Sequence, residues 1–283
     1  MEIVKTDVSS AGFQGVLYPV GGRKDKVVIT LSGSEGGLRY AQKMARLHAE
    51  QGIPALAVAY FGTKETCLSL SQVPLEYIEH AIRWLKQQGY QRIAVEGLSK
   101  GAEYALAAAT TFSNLSCVIL KTPTWYYGEG LIQKAPSHTS CWTYRGTELP
   151  YTPYRERAFH LKRSILRARE YNILPINTGK EIAKASVIPI EKVRGPVLML
   201  STEADTVWPS AESGRRLDAR LVRSNFPYPH RHICFTHMSH IMLENAGDLV
   251  RLLFKSEREH PKECAEERSL MEQAVTDWLE RIW

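Results

Sequence analysis

Arg92-Ile93-Ala94-Val95-Glu96-Gly97-Leu98-Ser99-Lys100-Gly101 runs from an apolar stretch into a serine with a glycine two residues away on either side. The run Arg92–Leu98 predicts a strand, and Lys100–Phe112 predicts a helix. The pattern G-x-S-x-G alone carries little, because with glycine near 7% of residues roughly one chain of this length in ten would show it by accident. Its setting carries more: the serine falls where a strand ends and a helix begins, the context a strand–turn–helix nucleophile requires. Such a turn is too tight for a Cβ on either side, which accounts for Gly97 and Gly101. The helix N-terminus beneath Ser99 favours negative charge there. The other reading is a serine N-cap between two packing glycines.

Working outward, strand and helix alternate. Glu2 to Val8 and Gly12 to Val20 are β-rich. Lys26–Leu31 is a continuous β-branched run suited to a strand buried on both faces. It ends in the glycine-rich loop Ser32-Gly33-Ser34-Glu35-Gly36-Gly37. Leu38–Gln51 predicts a helix closed by Gly52, and Ile53–Phe61 a further strand. Pro74 is placed to start the next helix, where Leu75, Ile78, Ile82 and Leu85 recur at helical spacing until Gly89. Leu115–Leu120 and Pro196–Leu200 predict strands, and a last helix is expected over about Ala265 to Ile282. Between them, residues 122–190 are irregular and rich in Tyr, Thr and Pro, with a basic helix expected near Tyr154 to Tyr171. The expectation is one α/β domain over residues 1–283: a mostly parallel central sheet with helices on both faces and a cap excursion at about 122–190.

The 283 residues are 44% hydrophobic and 23% charged, with a net charge of +6. No run of 18 apolar residues occurs, so no membrane span is expected. Met1-Glu2-Ile3-Val4-Lys5 lacks a secretory pattern, which points to the cytoplasm. Cys67, Cys117, Cys141, Cys234 and Cys264 are scattered, odd in number and without a CxxC pair, so free thiols are expected. There is no basic tail and no nucleic-acid signature.

In a wound sheet the partners of Ser99 should lie at the C-terminal ends of later strands, in the order acid then histidine. Asp205 follows the strand near Val197–Ser201, and His240 follows Ile233–Phe235. His240 would take the Ser99 proton, and Asp205 would hold the imidazole tautomer. Glu203 is the competing acid and His237 the competing base; Asp205 is preferred because it is later in its loop. His230 and His232 raise a metal reading, but no carboxylate or cysteine joins them at ligand spacing, and neither metal nor cofactor is expected. For an oxyanion, the Lys100 N–H is one donor, and the loop after Leu31 should supply the other, from Ser34 or else Glu35.

Three segments resemble the catalytic domain of the acyl-CoA thioesterase and bile acid-CoA:amino acid N-acyltransferase family, itself similar to dienelactone hydrolases. They are Leu31–Leu38, Gly97–Gly101 with the lysine after the serine, and the stretch Ile188–Pro196 followed by Glu203–Ser210. The resemblance implies an α/β-hydrolase fold, a Ser99–Asp205–His240 triad and attack on an acyl thioester with release of CoA. Two departures stand out. The eukaryotic members carry an N-terminal β-sandwich domain, for which this chain is too short. Amino-acid-conjugating members use cysteine as nucleophile where this chain has Ser99, which tilts the reading toward water as acceptor.

The expected partner is therefore a small-molecule acyl thioester or ester, with no nucleic acid and no membrane. The basic stretch Arg155, Arg157, Lys162, Arg163, Arg167 and Arg169 could meet a polyanionic CoA tail, or could be a solvated helix face. A carboxylic ester or lactone hydrolase is the alternative function. Acyl transfer to an amine and a non-catalytic binding protein are the remaining ones.

Overall fold

A computed structural model of the protein describes residues 3–133, 135–154, 182–244 and 247–283. The main sheet has eight strands, numbered here in chain order. They are β1 (Val4–Thr6), β2 (Gln14–Tyr18), β3 (Lys26–Leu31), β4 (Ala55–Ala59), β5 (Arg92–Leu98), β6 (Cys117–Lys121), β7 (Val197–Thr202) and β8 (His230–Phe235). Their spatial order is β1-β2-β4-β3-β5-β6-β7-β8. β1 and β2 pair antiparallel, as do β2 and β4; every later pairing is parallel. The sheet is thus an α/β-hydrolase sheet, with β3 and β5 side by side at its centre.

The helices cover both faces because the inner strands have no polar face to show water. β3, β4, β6 and β7 are buried at every residue. Side chains alternate across each strand, so Val27, Ile29 and Leu31 join one core while Val28 joins the other. The first core is closed by α2 (Glu76–Gln87), α3 (Lys100–Thr111) and α4 (Ser210–Arg223). The second is closed by α1 (Arg39–Glu50) and α7 (Pro261–Asp277). Two short helices, α5 (Asp248–Leu253) and α6 (Lys255–Glu259), precede α7.

The structure corrects several sequence expectations. Val8–Ala11 is a helical turn capped by the Asp7 carboxylate, not the tail of a strand. Pro74 does not open α2: it sits in a two-residue strand, Val73–Pro74, that pairs with Trp142–Tyr144. Its missing N–H costs nothing at that edge position, and the helix starts two residues later. β8 begins at His230, three residues before the apolar run that marked it, because an edge strand accepts polar residues. α7 begins at Pro261, and Trp278–Ile282 continues as a π-helical turn. α4 was not expected: it is amphipathic, but its sequence is mostly polar and only a few apolar residues, such as Leu217 and Leu221, mark its buried face.

The excursion after β6 is anchored to the core. Glu129–Ile132 pairs antiparallel with Ala135–Ser140, and Trp142–Tyr144 pairs with Thr147–Glu148. Trp142 is fully buried and extends a stack of Tyr60 on Tyr104 (ring centroids 4.6 Å apart) with its own ring 4.8 Å from Tyr104. The expected basic helix falls mostly within residues 155–181, outside the described residues.

At the β5–α3 joint the backbone packs without room for side chains. A Cβ on Gly97 would stand 2.1 Å from the Gly101 carbonyl oxygen, and one on Gly101 would stand 2.2 Å from the Ser32 carbonyl oxygen. Both neighbours are backbone and cannot swing aside. Gly101→Ala is therefore expected to exceed the ordinary overpacking cost of about 1–3 kcal/mol, read as a lowered urea midpoint; an unchanged midpoint would contradict this packing.

Candidate active site

Ser99 closes β5 and precedes α3 with φ 57° and ψ −120°. A non-glycine residue reaches this region only under constraint, at a cost of order 1–3 kcal/mol. The constraint is visible: Gly97 and Gly101 let the chain close, and the Ser99 N–H donates to the Lys121 carbonyl at the end of β6 (2.9 Å). No side chain caps α3. The Lys100 N–H, first in the helix, has no intrahelical acceptor and lies next to the serine.

His240 and Asp205 come to the same spot from the ends of β8 and β7. His240 Nε2 lies 2.8 Å from Ser99 Oγ. Its Nδ1 lies 2.9 Å and 3.0 Å from the two oxygens of Asp205. All three residues are buried. Asp205 Oδ1 also accepts from the Val207 and Trp208 N–H groups (2.9 and 3.1 Å), which fixes the carboxylate in its loop. The Trp208 indole stands edge-on to the imidazole, with centroids 5.2 Å apart, and donates to the Thr122 carbonyl.

The competing residues lie elsewhere. Glu203 is exposed and faces Arg215 (2.6 Å), whose guanidinium holds its carboxyl below the usual range. His237 packs against His260, with tilted rings whose centroids are 4.4 Å apart. His232 Nε2 meets Ser201 Oγ (2.6 Å), and His230 sits 3.9 Å from Asp218. Among the described residues no group of three His, Cys, Asp or Glu is arranged to hold a metal.

In the loop after β3, Ser34 and Glu35, the expected sources of the second donor, are exposed residues. Gly33 is the one that abuts the nucleophile: a Cβ there would lie 3.2 Å from Ser99 Cβ. The Gly33 N–H donates to Glu35 Oε1 (2.9 Å). The Glu35 side chain thus folds back into the loop although the residue as a whole is exposed, and burial of the carboxylate raises its pKa. Glu35 contributes an acceptor at this point. The sequence signal for Gly33 was present in the glycine-rich loop, but spacing alone could not choose among its N–H groups.

Two buried charge clusters surround the serine, and neither was foreseen. Lys100 Nζ pairs with Glu103 Oε2 (2.7 Å), and Glu103 Oε1 accepts from Trp142 Nε1 (2.8 Å) and the Gly128 N–H (2.7 Å). The lysine after the nucleophile is therefore held by Glu103, the residue that ties α3 to the excursion. Below the elbow, Glu96 of β5 pairs with Lys121 (2.7 Å) and contacts His48 of α1, and Lys121 reaches Glu244 (3.5 Å). Burial alone would raise the Glu96 pKa; Lys121 and His48 overturn that and hold it at about 2. A lone glutamate within an apolar strand was the available signal.

A family model described as BAAT / Acyl-CoA thioester hydrolase C terminal matches residues 73–244. Acyl-coenzyme A amino acid N-acyltransferase 1 of Mus musculus is 27% identical over 228 residues, 78% of this chain and 50% of that protein. Peroxisomal succinyl-coenzyme A thioesterase of Mus musculus is 26% identical over 191 residues, 65% of this chain and 41% of that protein. The chain spans about half the length of the curated relatives it matches. A putative dienelactone hydrolase from Klebsiella pneumoniae superposes with a TM-score of 0.57 at 14% identity, covering 97% of this chain and 98% of that one. This last likeness speaks to the fold alone.

The Glu96 cluster makes a stability prediction. A carboxylate whose pKa is depressed on folding stabilises the fold above its ordinary value of 4.5, and that contribution is lost as pH falls toward about 2. Glu96→Gln leaves Lys121 with a broken buried pair, expected to cost about 3–5 kcal/mol at neutral pH. The gap to the parent should narrow between pH 4.5 and pH 2. Urea melts across that range read it; a gap constant with pH would contradict the pairing.

Proposed function

This chain belongs to the BAAT / acyl-CoA thioester hydrolase C-terminal family, and on that premise we propose that it is a serine hydrolase cleaving an acyl thioester, with acyl-CoA as the substrate class. The observation that carries the reading is the 2.8 Å contact of His240 Nε2 with the hydroxyl of a serine held at positive φ. An N-cap serine has no need of that backbone or of a histidine oriented by a buried aspartate.

The chemistry follows from the placement. His240 Nε2 accepts the Ser99 proton as Oγ attacks the thioester carbonyl. Asp205 fixes the tautomer with Nδ1–H toward itself and stabilises the imidazolium. The tetrahedral oxyanion faces the Lys100 N–H and, once the Glu35 carboxylate withdraws, the Gly33 N–H. Collapse breaks the carbon–sulfur bond. His240 returns its proton to the departing sulfur, leaving acyl-Ser99 and a free thiol. Water then enters, gives a proton to His240 and attacks the acyl carbon; Ser99 recovers the proton and the acid is released. A thiolate, with an ordinary pKa near 8.5, is a far better leaving group than an amine.

The domain reading is one hydrolase unit with the excursion at about 122–190 as its cap, supported by the burial of Trp142 against α3. A cytoplasmic setting is supported by five cysteines that form no disulfide. No helix among the described residues is long and apolar enough to cross a membrane.

Ser99→Ala and His240→Ala are each expected to lower kcat by about 10⁴-fold or more, with Asp205→Asn losing somewhat less. Glu203→Gln should stay near the parent; the reverse ranking of the two acid variants would reject Asp205. A fluorophosphonate probe should label Ser99. Efficient cleavage of p-nitrophenyl esters with acyl-CoAs untouched would favour the ester or lactone hydrolase instead.

A further inference from the structure

A cavity of about 570 Å³ runs along the outer side of α1, with Arg39, Lys43 and Arg46 on one bank and Glu244 on the other. Its position relative to the triad is set by the chain. α1 springs directly from the loop whose Gly33 abuts Ser99. Glu244 lies four residues beyond His240 and is tied to Lys121, whose carbonyl accepts the Ser99 N–H. The groove thus lies on the helix that leaves the nucleophile's loop, and its lining includes Glu244 from the segment that follows His240.

The cations are arrayed for an extended anion. Positions 39, 43 and 46 follow i, i+4, i+7 and share one face of the helix. They span about 10 Å at 1.5 Å per residue. All three side chains are exposed, and none makes an ion pair with a described carboxylate. Arg39 and Lys43 lean on the Tyr40 ring at 5.6 and 5.3 Å, and Arg46 on Tyr18 at 6.0 Å. The first turn of α1 holds no acid and has no side-chain cap, so the helix dipole adds to the positive field there. Against the three cations stand two lining carboxylates, Glu50 at the far end of the helix and Glu244, which lies 3.5 Å from the Lys121 that Glu96 also pairs with, so the lining is net positive.

We propose that this groove receives the phosphate-bearing end of the substrate's carrier. The thiol arm leaves the triad past His240, and the phosphates lie against Arg39, Lys43 and Arg46. The inference rests on the thioesterase reading and adds that recognition is of the carrier's phosphates and comes from α1.

Two measurements test it on the full chain. The first compares kcat/KM for an acyl-CoA with that for the N-acetylcysteamine thioester of the same acyl group, which has no phosphates. In the triple variant R39Q/K43Q/R46Q that ratio should fall tenfold or more, the loss appearing in the KM for acyl-CoA; an unchanged ratio overturns the proposal. The second is calorimetric binding of adenosine 3′,5′-bisphosphate, which needs no turnover. The parent should bind it at least tenfold more tightly than the variant, and equal binding overturns the proposal. If the parent cleaves neither thioester, the thioesterase reading fails, and the bisphosphate measurement alone decides whether the groove is a phosphate site. Matching melting temperatures establish that the variant is folded.

Discussion

The molecule is organised around one backbone contact, the meeting of Gly97 and Gly101 at the turn that carries Ser99. An N–H of a helix, the hydroxyl of the serine and the end of the central strand can converge only if the chain reverses within two residues. That reversal forces a positive φ on the serine, and the cost is tolerated because everything near it is immobilised. β6 accepts the Ser99 N–H, β3 stands alongside, and the Ser32 carbonyl presses on Gly101. The eight-stranded sheet is in this sense the mould for a single strained residue.

The charges buried around the elbow follow from the same need. Replacing a buried ion pair by apolar residues is often neutral or stabilising, whereas removing one partner is costly. Such pairs are therefore poor sources of stability; what they do here is join elements. Glu96, Lys121, His48 and Glu244 connect β5, β6, α1 and the segment after His240. Lys100 and Glu103 do the same between α3 and the excursion. One cluster lies on each side of the sheet, with Ser99 between them.

The sequence made the frame legible because period and composition are local signals. The apolar runs of β3 and β5 and the glycines of the elbow fixed the central strands within a residue or two. The order serine, aspartate, histidine is the one that nucleophile-elbow hydrolases use, and the structure brings those three side chains into hydrogen-bonding reach. What stayed hidden depends on contacts between distant segments. Pro74 looked like a helix start because its pairing with Thr143 is invisible in a local window. The approach of Gly33 to Ser99, which no local window shows, adds a candidate donor beside Ser34. Glu35, chosen for its backbone, also places its carboxylate on the Gly33 N–H.

The histidine loop is held by residues far from the motifs. Residues 236–240 lie past the last strand; from the sheet, the Thr202 hydroxyl of β7 donates to the Met238 carbonyl. Two carboxylates from the C-terminal helices grip the loop's donors. Glu267 of α7 accepts the N–H groups of Thr236, His237 and Met238, and Glu257 of α6 accepts both the N–H and the hydroxyl of Ser239. Arg268 neutralises Glu257 at 2.5 Å and donates to the Leu243 and Ile241 carbonyls, so the loop is gripped on both sides of His240. Charge-assisted bonds of this kind are roughly twice as strong as neutral ones, and here they act on backbone, whose position dictates where the imidazole stands. The family match ends at residue 244, before any of these three side chains. The base is thus positioned by a part of the chain that carries none of the recognisable sequence signals, and the geometry at Ser99 depends on helices that pack against the opposite face of the sheet from α3.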